Sequence, residues 1–164
     1  MNTLVKLEGH AHIEHIRDNK VINSIDQHND ITNDGLDDLL NIMFHNATQI
    51  STWYIGLVDN GGFTAFADAD SMGSHAGWAE SADYDEATRG EWTEGAASTQ
   101  SMTNASVVTF TIDATVTLKG IFVTSSNTKS GTTGTLWSTV AFASTLNVVD
   151  NDSVRITYTI NASG

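Results

Sequence analysis

The spacing of apolar residues changes character several times along the chain. Between residues 4 and 25, Val5, Leu7, Ile13, Ile16, Val21, Ile22 and Ile25 are separated by polar residues in a strand-like pattern. Arg17-Asp18-Asn19-Lys20 supplies a hairpin turn between two strands. An isolated hairpin is marginal in water, so residues 1–29 are expected either to pack on the main sheet or to act as an arm ordered by a neighbouring subunit.

Residues 33–45 switch to helical spacing. Leu36, Leu39, Leu40, Met43 and Phe44 recur at i, i+3, i+4, i+7 and i+8, which draws one apolar stripe down a helix. Thr32 or Asn33 is suited to cap it, and Asp34, Asp37 and Asp38 bring carboxylates to the positive end of its dipole. The stripe predicts a helix lying on a sheet. Trp53-Tyr54-Ile55-Gly56-Leu57-Val58 then forms a short, almost continuous apolar run bounded by Ser51-Thr52 and Asp59-Asn60-Gly61-Gly62, as a buried central strand does. Gly56 inside it implies close approach by another backbone or a bulky side chain.

From residue 61 to 104 the periodicity is lost. Small and acidic residues are punctuated by Phe63, Phe66, Met72, Trp78, Tyr84, Trp92 and Met102, which predicts a long acidic loop segment with a function or an ordering partner. Its aromatic content argues against disorder. Strand alternation returns at about 106–113, 116–124, 135–143 and 153–161, where Val108, Phe110, Ile112 and Ile156, Tyr158, Ile160 alternate with Thr and Arg. The expected fold is therefore mainly β: an antiparallel, jelly-roll-like β-sandwich over residues 30–164, with one short amphipathic helix at about 33–45 and a long loop at 61–104. Residues 1–29 precede it as a β-hairpin or arm.

A chain of 164 residues and 17.6 kDa suits one such domain. It has no Cys, so neither a disulfide framework nor a thiolate site is available, and no Pro, so turns fall to Gly, Asn and Asp. Charge changes the picture more. The net charge is −13, and residues 21–100 hold 14 carboxylates against one Arg. Phosphate recognition needs clustered Lys and Arg, so neither nucleic acid nor anionic membrane is expected as a partner. Residues 1–6 lack the basic and apolar regions of a signal peptide, and no apolar stretch approaches the roughly 18 residues of a spanning helix. Synthesis in the cytoplasm is expected.

Candidate chemistry is sparse. His10, His12 and Glu14 lie at i, i+2 and i+4, which on a strand puts two imidazoles and a carboxylate on one side, as some metal sites require. The plain alternative is a solvated polar face; no metal or other cofactor is assigned. Asp83, Asp85, Glu86, Glu91 and Glu94 read as a solvated acidic surface. No Gly-x-Ser-x-Gly elbow or phosphate-cradling loop is present, and His28 and His75 have no identifiable nucleophile beside them. The chain is not expected to be an enzyme. Trp137 reads as core, whereas Trp78 and Trp92 fit either the core or an interface.

Taken together, several phrases resemble small virion structural proteins of tailed bacteriophages. They are Ile31-Thr32-Asn33-Asp34-Gly35-Leu36, Trp53-Tyr54-Ile55-Gly56-Leu57-Val58, Phe63-Thr64-Ala65-Phe66, Ala69-Asp70-Ser71-Met72 with Ser74-His75-Ala76-Gly77-Trp78, Lys119-Gly120-Ile121-Phe122-Val123-Thr124 and Gly134-Thr135-Leu136-Trp137. The resemblance spans roughly residues 30–145 and does not reach residues 1–29. Within that class a small, acidic, Cys-free β protein looks most like a capsid decoration or cement protein. Such proteins bind the major capsid protein on the outside of the head, often as trimers or dimers, and have no catalytic residues. The resemblance thus implies a virion location and contact segments at residues 1–25 and 61–104. Phe63, Phe66, Trp78, Tyr84 and Trp92 are the anchors expected to touch capsid or neighbouring subunits. The alternatives are a tail or head-fibre component, or a carbohydrate-binding sandwich with Trp78 or Trp92 as its stacking platform.

Overall fold

The predicted hairpin forms and closes on the turn its residues specify. In the computed structural model, which describes residues 5–164, β1 (Lys6–Arg17) and β2 (Lys20–Ile31) are joined by Asp18 and Asn19 at φ of 51° and 60°, the positive values of a type I′ turn. Residues 1–4, the outermost part of the predicted 1–29 unit, lie outside the described residues. β1 also pairs with the last strand, β10 (Ser153–Ser163), in unbroken register from Lys6 opposite Ser163 to Ile16 opposite Ser153. The hairpin is thus built into the main sheet instead of standing off as an arm, and a boundary at residue 29 would cut through β2.

The remaining elements follow as α1 (Asn33–Phe44), β3 (Trp53–Asp59), β4 (Ala79–Ser81), β5 (Gly90–Trp92), β6 (Ser101–Thr103), β7 (Val108–Thr111), β8 (Val116–Thr124) and β9 (Leu136–Val148). Every strand pair is antiparallel. One sheet runs β2, β1, β10, with β6 and β7 on the far side of β10; the other runs β9, β8, β3, with β4 and β5 on the far side of β3. β2 belongs to both, because its last residues Asp30 and Ile31 pair with Thr139 and Ser138 of β9. A single ten-stranded ribbon is in this way folded into a sandwich.

Alternation decides which side chains enter the sandwich. On β1, Ala11 and Ile13 point inward between His10, His12 and Glu14; on β10, Val154, Ile156 and Tyr158 do the same. They meet Ile55, Leu57, Ile121, Val123, Val140 and Phe142 from the opposite sheet. A second, smaller cluster lies on the outer face of that sheet, where Met72 and Trp78 cover Val58, Phe122 and Leu136. β3 is therefore buried on both faces, which is why its sequence reads as a continuous apolar run. A Cβ at Gly56 would run into the Phe122 ring, the close approach that this glycine implies.

The segment expected as one long loop is instead divided by three strands of three residues each, β4, β5 and β6. Strands this short cannot display an alternating pattern, and they exist because the edges of β3 and β10 supply backbone partners. No helix among the described residues is long and apolar enough to cross a membrane.

Candidate interaction surface

The hydrogen bonds that tie α1 to the body gather at its first turn. Thr32 caps it by accepting a hydrogen bond from the Gly35 N–H at 3.1 Å while its hydroxyl donates to the Leu136 carbonyl. Thr32 N–H reaches the Trp137 carbonyl at 3.0 Å, Asn33 N–H reaches the Asp68 carbonyl at 2.8 Å, and the Asp34 carboxylate accepts from Leu136 N–H at 2.8 Å. Gly35 lets the first turn lie directly on Trp137, where any larger residue would clash. These ties hold the first turn of the helix against the start of β9 and against Asp68.

The helix meets β9 as expected, but only part of its apolar stripe is covered. Leu39 packs against the core, but Leu36, Leu40, Met43 and Phe44 are 38, 54, 64 and 81% exposed. Beside this ridge a cleft of about 310 Å³ opens between the helix and the ends of both sheets. Its walls include Leu39, Ile42, Trp53, Met102, Trp137 and Ile160, with Asp38 and Glu94 as its acidic members. Burial and the neighbouring Asp34 carboxylate push the Asp38 carboxyl above its ordinary value.

The five anticipated anchors separate into two groups. Trp78, Tyr84 and Trp92 are core residues, so their expected role as direct contacts is corrected. The Trp78 indole donates to Asp70 at 3.0 Å, and its ring is covered by His75, stacked at 3.9 Å, and by Phe122 at 5.1 Å. Trp92 donates to Asn104 and to the Tyr158 carbonyl at 2.9 and 3.0 Å, and Tyr84 meets Phe110 edge to face beneath the Lys129 ammonium. With both indoles enclosed, neither Trp78 nor Trp92 offers a face on which a sugar could stack, which removes the stacking platform proposed for a carbohydrate-binding role. Phe63 and Phe66 are half-buried, packed edge to face at 5.1 Å, and line a groove of about 530 Å³ with His28, Ile31, Lys119 and Thr139. Of the five, these two are the ones that are more than marginally exposed.

His10, His12 and Glu14 share the outer face of β1, as their spacing predicts, but do not converge. His12 Nδ1 and His10 Nε2 lie 2.9 and 3.5 Å from the same Asp26 oxygen, whereas Glu14 turns to Arg155 at 3.7 Å. Among the described residues no three His, Asp or Glu side chains are placed to hold a metal ion.

The charged groups that the fold does bury are spent on holding it together. Arg89 is enclosed; it makes two bonds to Glu80, at 2.9 and 2.7 Å, and donates to the carbonyls of Ser126 and Gly131. Asp152 is enclosed between His15, Arg17 and the Val149 N–H. Sequence reasoning singled out neither. Arg89 carried one signal, as the sole cation among the carboxylates of residues 21–100. No family model matches the chain, and no curated protein matches it significantly.

Proposed function

We propose that the chain is a non-enzymatic virion structural protein of a tailed bacteriophage, which binds the outer surface of the capsid lattice and stabilises the head as a decoration or cement protein. The observation that carries this reading is an apolar helical ridge on which four neighbouring side chains, Leu36, Leu40, Met43 and Phe44, are exposed together beside a well-packed core. The resemblance of phrases across residues 30–145 to virion proteins gives the ridge its context on this reading. A cement protein needs a stiff body and a surface that many copies can present without clumping, and the folded ten-stranded ribbon and net charge of −13 suit both. Its partners on this reading are the major capsid protein and further copies of itself, as a trimer or dimer, and neither nucleic acid nor membrane takes part. It is made in the host cytoplasm and works on the capsid surface. The buried charges support a structural role, since Asp152 and Glu80 are each saturated by a guanidinium and backbone N–H groups.

The test is the copy number of the chain in purified virions relative to the major capsid protein, by quantitative mass spectrometry. A ratio near one to one, or one to a small integer, is expected. A few copies per particle would favour a tail or head-fibre component, and absence from virions would end the virion reading.

A further inference from the structure

We infer that the α1 ridge and the cleft beside it are the docking surface for the capsid protein, and that the matching site there is an apolar segment bracketed by Lys or Arg. This rests on the decoration reading above. Leu40, Met43 and Phe44 project from the helix more than half exposed, with Leu36 partly exposed beside them, and the cleft next to them can receive an apolar side chain from a partner.

Charge selects among the possible occupants. The helix carries Asp34, Asp37 and Asp38 and Glu94 stands at the cleft, while Lys6, which lies beside Leu36, is paired with Glu8 at 2.9 Å. A second copy would bring the same carboxylates to the same place, and like charges brought together oppose that pairing. An anionic lipid surface is disfavoured for the same reason: helices that lie in bilayers carry Lys and Arg beside their apolar face, and this one carries acids. What remains is a protein surface whose cations meet this rim while its apolar side chains meet the ridge. The Asp38 carboxyl, raised by burial and by the neighbouring Asp34, has no salt bridge among the described residues and suits a partner's cation.

The experiment is co-sedimentation of the full chain with expanded heads assembled without it, at several NaCl concentrations. The variant Leu40→Ser with Phe44→Ser is compared with Val21→Ser plus Ile22→Ser, which removes similarly exposed apolar groups at the hairpin tip. The expected result is binding at least about 100-fold weaker for the helix variant, near-normal binding for the hairpin variant, and wild-type affinity that falls with salt. Asp37→Asn with Asp38→Asn should weaken binding less and flatten the salt dependence. Equal binding by the helix variant and the wild type overturns the docking assignment while leaving decoration intact. Wild-type chain that ignores the heads overturns both. A helix variant that binds normally but changes oligomeric state, or wild-type chain that floats with anionic vesicles, assigns the ridge to another occupant and overturns the inference.

Discussion

The imidazole Nε2 of His15 lies 2.6 Å from a carboxylate oxygen of Asp152, with both side chains buried where β1 meets the turn into β10. Arg17 grips the same carboxylate through Nε and Nη2 at 2.8 and 2.7 Å, and the Val149 N–H adds a fourth bond at 2.9 Å. The Arg17 guanidinium is the largest influence on the carboxyl; with Val149 N–H and His15 it outweighs burial and holds Asp152 well below the usual carboxylate range. One side chain therefore ties the first strand to the last turn of the molecule.

Asp152→Asn should destabilise the fold by about 2 to 3 kcal/mol, because it removes a charge-assisted pair while leaving His15 enclosed. For a chain of this size that is a fall in Tm of roughly 5 to 10 °C. The pH dependence has a definite sign. A carboxyl with a depressed folded-state pKa contributes its full stability above the unfolded value, near pH 4, and loses it as pH falls through the range below. Chemical denaturation of both proteins should show a constant gap from pH 7 to about 4 that narrows below it. A gap that closes between pH 7 and 5 would contradict this account.

Much of the fold was legible because long elements repeat their pattern. The Asp18-Asn19 turn, the Thr32 cap and the alternation of Val154, Ile156 and Tyr158 are local signals that tertiary contacts did not override. The short strands β4 to β6 were hidden, since three residues define no period and their pairing depends on edges distant in sequence. Of the stripe on α1, Leu39 packs against the core whereas Leu40, Met43 and Phe44 stay exposed. Periodicity reports that a face is apolar, whereas what covers it depends on the capping contacts to Leu136 and Trp137 that aim the helix. Trp78, Tyr84 and Trp92 looked like surface anchors because their neighbours in sequence are acidic. Their neighbours in space are Phe122, Phe110 and Tyr158.

Glu80→Gln should be among the more damaging single substitutions, costing about 3 kcal/mol. It leaves the Arg89 guanidinium, which has no solvent access, without its counter-ion. Arg89→Met in the same chain should recover part of the loss, since an apolar side chain of similar length needs no partner and Phe122 lies against it at 5.0 Å. Urea midpoints for the two single variants and the double variant decide the matter, and strict additivity would rule out the pairing as the source of the cost.

Gly56→Ala should cost about 1 to 3 kcal/mol by overpacking, because the new methyl meets the Phe122 ring between two well-filled layers. Adding Phe122→Leu should make the double variant more stable than the sum of its single effects, as thermal denaturation would show.

Asp70 accepts from both the Trp78 indole and the Ala67 N–H, at 3.0 and 2.9 Å, and so pins residues 63–78 to the outer face of the second sheet. Asp70→Ala should loosen that cover without unfolding the sandwich, whose main core is a separate cluster. Limited proteolysis should then cut first within residues 63–78, while the amides of β1 and β10 keep their protection from hydrogen exchange. Simultaneous loss of protection throughout would mean that the cover and the sandwich unfold as one unit.

Phe44 poses the opposite case, a large apolar side chain whose removal should leave the isolated chain unharmed. It is the most exposed of the ridge residues and lies at the end of α1 remote from the bonds through Thr32 and Asp34. A group that gains nothing from folding loses nothing when truncated, so Phe44→Ser should shift stability by no more than about 0.5 kcal/mol. Gly35→Ala alters the same helix by only one methyl, yet that methyl would strike the Trp137 backbone; it should cost more than about 1 kcal/mol. Paired thermal melts should therefore rank the smaller chemical change as the more harmful. The reverse ranking would mean that Phe44 packs within its own chain, and it would withdraw the ridge from the surface available to a partner.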